Sequence, residues 1–255
     1  MKLLFDTLTD WVELRDPNLH KLTVDGFPMI YRDIHVDEAQ FGQKLPLIIG
    51  LHGHGIHEGQ METLVGLELE QPFIYVALRG FHRLDDGSYS WFPFQFTGTN
   101  LITDEAVVMQ ALHRLAKFVP AIVQAKNADP KQVYIVGYSM GSGMSQSFML
   151  TYPDLIAGAV AMAGQYFEQV KSHIVMRTKL KNKPLFIGHG LNDPLIPAST
   201  MNTVISEYED LGLDVTYKTY NIPHVVSKAE REDVQCWLNA QMTDSSNNSL
   251  NLTSP

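Results

Sequence analysis

The 255-residue sequence contains a single cysteine, Cys236. One thiol forms no internal disulfide and no thiolate zinc cluster. Cations are scarce as well, with 19 Lys and Arg against 28 Asp and Glu and a formal net charge of -9. Nucleic acids are bound largely through clustered Lys and Arg, so none is expected as a partner; a neutral or cationic small molecule fits better. Long apolar runs are missing too. No stretch reads as membrane-spanning, and the opening "MKLLFDTLTDW" offers only three successive apolar residues before Asp6, too few for a signal-peptide core. The expectation is a soluble, cytoplasmic protein without membrane insertion. No internal repeat is present, and residues 243–255, "TDSSNNSLNLTSP", are polar and aperiodic, which predicts a disordered tail.

What remains is ordinary globular composition, 45% hydrophobic and 18% charged. It predicts one domain over residues 1–242. "HKLTVDGFPMIYRDIHV" (His20 to Val36) reads as a hairpin turning at Asp25-Gly26. Apolar runs then begin at Leu45, Phe73, Val133, Ala157, Pro184 and Val215, as strands covered on both faces should be. Helical stripes fill the gaps. Val108, Leu112, Leu115, Val119 and Ile122 mark one such stripe, with Pro120 a candidate kink, and Val204, Tyr208 and Leu211 mark another. Ser227 with Glu230 forms a capping-box signal ahead of a last helix. The fold class is therefore α/β, with about eight strands, mostly parallel, and helices on both faces.

Chemistry enters at "VYIVGYSMGSG", where Gly137-Tyr138-Ser139-Met140-Gly141 separates an apolar strand from a helical run. A turn this sharp holds a serine in strained geometry with its hydroxyl above the sheet, and the N–H of Met140 can then donate to an oxyanion. The alternative is a Gly-Ser turn that only connects strand to helix. A serine hydroxyl needs a base and an orienting carboxylate. Asp193, in the loop after "LFIGHG", and His224, in the loop after "VTYKTYNI", follow in the order found with this motif. Asp154 is the competing carboxylate, and Asp193 could also be a turn or cap residue.

Taken together, "LHGHG", "GYSMG", "GHGLNDPLIP" and "PHVV" resemble the α/β-hydrolase fold, specifically its phospholipase/carboxylesterase branch, which includes acyl-protein thioesterases. The resemblance runs from about Leu45 to Trp237 and extends to "RGFHRLDDGSYSWF". It implies Ser139 as nucleophile, His224 as general base and then acid, and Asp193 as its orienting partner. Oxyanion donors are implied at the backbone N–H groups of Met140 and His54. The activity implied is that of a cofactor-free serine esterase on small to medium acyl esters, with a small-molecule ester as partner. Acyl thioesterase, lysophospholipase and a non-catalytic binding protein of the same fold are the alternatives. A homodimer is compatible with the sequence.

His52, His54 and His57 form a superficial metal motif. No acidic residue sits between them and a flexible Gly55 leaves His57 undirected, so no metal site is expected. His52 is expected to brace the loop through its ring. Tyr89, Trp91 and Phe92, with Phe94 and Phe96, are candidates to line an acyl or aryl pocket, loop packing being the other reading.

Overall fold

Strand alternation divides the core in two. Along the strand at residues 47–51, Leu47, Ile49 and Leu51 join one buried cluster while Ile48 joins the other. The same division sends Val133 and Ile135 to the first cluster and Tyr134 and Val136 to the second. That is the period of two expected when both faces of a sheet are covered. The computed structural model describes residues 16–37, 42–97 and 100–250. The N-terminal segment read above for a signal peptide lies outside them, as does the end of the predicted tail, residues 251–255.

Eight strands make one sheet: β1 (Leu19–Val24), β2 (Phe27–Val36), β3 (Leu47–Leu51), β4 (Ile74–Leu78), β5 (Val133–Tyr138), β6 (Gly158–Met162), β7 (Pro184–Gly190) and β8 (Asp214–Tyr220). Their spatial order is β1-β2-β4-β3-β5-β6-β7-β8. β1 and β2 are antiparallel, as are β2 and β4, and every later pairing is parallel. The first hairpin turns at Asp25 (φ 50°) and Gly26 (φ 81°), two successive positive φ values of the kind that match strand twist.

Helices α1 (Gln60–Val65) and α6 (Lys228–Leu250) cover one face through Met61, Val65, Val234, Trp237 and Leu238. The other face takes α2 (Glu105–Ala125), α3 (Met140–Thr151) and α5 (Ala198–Asp210), while α4 is the short helix Arg177–Leu180. At 21 residues, α2 is long and apolar enough by composition to cross a bilayer. That corrects the expectation that no stretch reaches this length. Here its stripe of Val108, Leu112, Leu115, Val119 and Ile122 is buried in the core, and the helix runs on through Pro120. α6 extends to Leu250, through eight residues assigned above to the tail. Polarity was the signal for a tail there, but neither glycine nor proline interrupts residues 228–250.

α3 is buried at every one of its twelve positions. Its polar residues find partners inside: Ser145 donates to Ser142 O and Val160 O, and Gln146 Nε2 donates to Gly164 O at 2.9 Å. Between β4 and α2 the chain makes two small hairpins, 82–83 with 89–90 and 95–97 with 100–102.

Candidate active site

Leu51 at the end of β3 pairs with Gly137 near the end of β5, so the loops after these two strands emerge side by side. β5 passes into α3 through Ser139, whose backbone sits at φ 53° and ψ -115°. A non-glycine residue in that region costs on the order of 1–3 kcal/mol and persists only where its surroundings enforce it. Here Ser139 N–H donates to Met162 O at 2.9 Å, and Ser139 O accepts from Gly143 N–H at 3.1 Å. The glycines make room. A Cβ on Gly137 would run into Gly141 O, and one on Gly141 would run into Leu51 O.

His224, beyond the end of β8, brings its Nε2 to 2.8 Å from Ser139 Oγ and its Nδ1 to 2.7 Å from Asp193 Oδ2. Tyr138 OH donates to His224 O at 2.8 Å, tying the histidine loop to the turn that carries the serine. Asp193, 6% exposed, spends its other oxygen on the N–H groups of Leu195 and Ile196, at 2.8 and 3.0 Å. Burial alone would raise its carboxyl, but hydrogen bonds from Ile196, His224 and Leu195 hold it below the ordinary carboxylate value. An ionised Asp193 accepts a hydrogen bond from Nδ1–H of His224, which leaves the Nε2 lone pair facing the serine hydroxyl. Asp154 is elsewhere, paired with Lys179 at 2.6 Å.

The loop after β3 passes over the serine, since a Cβ on Gly53 would lie 3.2 Å from Ser139 Cβ. His52 braces it with both ring nitrogens: Nδ1–H donates to Gly53 O at 2.6 Å and Nε2 accepts Gly80 N–H at 2.8 Å. Burial pulls the His52 imidazole down to about 4, which keeps Nε2 free of a proton and able to accept. His54 follows Gly53 at the exposed crest, its ring edge-on to Phe94 with centroids 4.7 Å apart. Met140 opens α3, where a first-turn N–H has no intrahelical partner. The two backbone N–H groups implied by resemblance as oxyanion donors thus belong to the loop and the helix start that flank Ser139.

A family model described as Phospholipase/Carboxylesterase matches residues 38–242. The chain belongs to the phospholipase/carboxylesterase family. Carboxylesterase SOBER1 of Arabidopsis thaliana is 23% identical over 171 residues, which are 64% of this chain and 72% of that protein. Acyl-protein thioesterase 1 of Aspergillus fumigatus is 26% identical over 117 residues, 44% of this chain and 48% of that protein, so the chain spans only about half the length of this relative. A Bacillus cereus carboxylesterase crystal structure superposes with a TM-score of 0.70 at 21% identity, covering 84% of this chain and 94% of that one. The fold is the α/β-hydrolase fold expected from the motifs, and membership in the family supports an esterase or thioesterase.

Within this family member the aromatic candidates are mostly buried. Trp91 and Phe92 are 1% and 2% exposed and sit in the buried core. Trp91 Nε1–H finds its acceptor at His52 O, 2.8 Å away, and an indole with a buried partner packs inside. Phe92 stands edge-on to Phe167. Tyr89 is half-buried beneath the Arg79 guanidinium, 4.7 Å from its ring centroid. Exposed apolar side chains instead flank the relay: Leu191 and Leu195 on either side of Asp193, and Val225 beside His224, at 53%, 58% and 47% exposure.

The histidines of the loop occupy three different settings, with His57 Nδ1 accepting Gly59 N–H at 3.1 Å. Among the described residues no cluster of three or more His, Cys, Asp or Glu is placed to hold a metal ion. His189 went unrecognised in the sequence. It is fully buried, its Nε2–H donates to Ile196 O at 2.8 Å, and it lies 3.8 Å from Asp193 Oδ2, so it fixes the turn that presents Asp193. Its signal was the histidine of "IGHG", four residues before the aspartate at a strand end.

Proposed function

We propose that this protein hydrolyses small to medium carboxylic esters through an acyl-enzyme on Ser139. The observation that carries this reading is the hydrogen-bonded line from Asp193 through His224 to Ser139 Oγ, at 2.7 and 2.8 Å. His224 Nε2 takes the hydroxyl proton as Oγ attacks the ester carbonyl. The N–H groups of Met140 and His54 receive the negative charge on the tetrahedral oxygen. The imidazolium, stabilised by Asp193, returns the proton to the departing alcohol, and a water activated by the same Nε2 then releases the acid and frees the serine.

Exposed Leu191, Leu195 and Val225, within two residues of Asp193 or His224 in the chain, support an apolar acyl group in the substrate. A thioester is the second reading, supported by similarity to an acyl-protein thioesterase. Both begin with the same acyl transfer; comparing kcat/KM for an ester and a thioester of one acyl chain separates them.

Labelling with a fluorophosphonate, followed by mass mapping, is expected to place the adduct on Ser139. Ser139→Ala is expected to abolish labelling and to reduce esterase turnover by on the order of a thousandfold or more with the fold intact. Turnover that survives in Ser139→Ala, or an adduct on another residue, would overturn the mechanism.

A further inference from the structure

The chain from His52 to Glu58 is held by more than its strand. Nε and Nη2 of Arg79 donate to different oxygens of Glu58, at 2.9 and 2.8 Å. This two-pronged pair is sealed from water, with side-chain exposures of 11% for Arg79 and 1% for Glu58. Burial by itself would raise the Glu58 carboxyl, but the hydrogen bonds and charge of Arg79 hold it below its ordinary value, so the pair is ionic. Arg79 also donates Nη1–H to Tyr89 OH at 3.3 Å.

The next residue, Gly80, gives its N–H to His52 Nε2. Tyr89 in turn accepts Gly55 N–H through its carbonyl and donates its own N–H to Ile56 O, each at 3.0 Å. The loop is therefore fastened to residues 79–89 before His54, just after it, and again at Glu58. Between these fastenings His54 is exposed, its ring edge-on to Phe94, and a loop at this position would otherwise swing about Gly53 and Gly55, the latter at φ 74°.

Desolvation offsets most of the Coulomb attraction in a buried ion pair, so it adds little stability over apolar packing. What the fork of a guanidinium on a carboxylate does supply is a fixed distance and angle. We propose that Glu58 and Arg79 are positioning residues, whose pairing holds the His54 N–H where the oxyanion forms. The proposal rests on the serine-hydrolase reading above and adds a pair of residues that act through the loop they hold.

The test uses the full chain with Glu58→Gln and Arg79→Lys, measured with p-nitrophenyl butyrate and with a trifluoromethyl ketone as a mimic of the tetrahedral oxyanion. Each variant is expected to lose about 10- to 100-fold in kcat while KM moves by less than about threefold. Affinity for the ketone should fall in step with kcat, and Glu58→Asp should recover part of both. An unchanged kcat with a lowered Tm would overturn the proposal and leave the pair structural, and so would failure of both variants to fold. Ser139→Ala is run alongside. If it stays active the hydrolase reading fails, whereas inactive Ser139→Ala with fully active Glu58→Gln sinks only the positioning role.

Discussion

Glu230 sits three residues after Ser227 at the start of α6, and the reciprocal capping box is only half made. Ser227 Oγ accepts Glu230 N–H at 3.1 Å, but the carboxyl turns inward against Gly188 of β7. Both its oxygens are buried without a hydrogen-bond partner, and burial, assisted by the charge of Asp233, pushes the acid up to about 7. The folded protein thus holds a proton that the unfolded chain releases near the ordinary value of 4.5. Stability contributed by the neutral acid is present below about 4.5 and is lost as pH rises through about 7. The whole window is worth on the order of 3 kcal/mol. In Glu230→Gln this decline is expected to flatten, read as Tm against pH from 5 to 8; an equally steep profile would remove Glu230 as its source.

The Asp193–His224 hydrogen bond joins the loops after β7 and β8, which expose Leu191 and Leu195 on one and Val225 on the other. An apolar side chain that covers an acyl chain contributes about 1.5–3 kcal/mol. Leu195→Ser with Val225→Ser is therefore expected to raise KM for a p-nitrophenyl octanoate about tenfold or more and to leave the acetate nearly unchanged. Equal effects on both esters would exclude a chain-length role.

At this scale the sequence is legible where periodicity acts. β3 to β7 announce themselves as apolar runs between turns, whereas β8, expected to be covered on both faces, is an edge strand with no buried residue; Gly137, Ser139 and Gly141 are readable because a strained turn tolerates few other residues. Asp193 and His224 follow from their places after strands. The Glu58–Arg79 pair is not legible, since its partners lie 21 positions apart and meet only once β3 and β4 are in register. The setting of Trp91 is hidden for the same reason: nothing local tells that the indole will find His52 O, 39 positions away.

Across the whole molecule, β5 and β7 lie inside the sheet while β8 pairs only with β7 at its edge. Ser139 and Asp193 hang from protected strands, but His224 hangs from an exposed one. Edge strands open at lower free energy than central ones. Esterase activity is therefore expected to disappear at a lower urea concentration than far-UV circular dichroism, with reversible recovery; coincident transitions would show that β8 opens only with the global fold.

Tyr138 changes what such an opening does. Its hydroxyl joins the residue before Ser139 to the carbonyl of His224, so the same loop that frays is leashed to the turn it serves. On the proposed mechanism, a His224 displaced by a fluctuation thus stays within reach of Ser139. Without urea, amide exchange in β8 is accordingly expected to be fast while esterase activity persists, each excursion being a brief pause; activity is lost where urea holds the strand open.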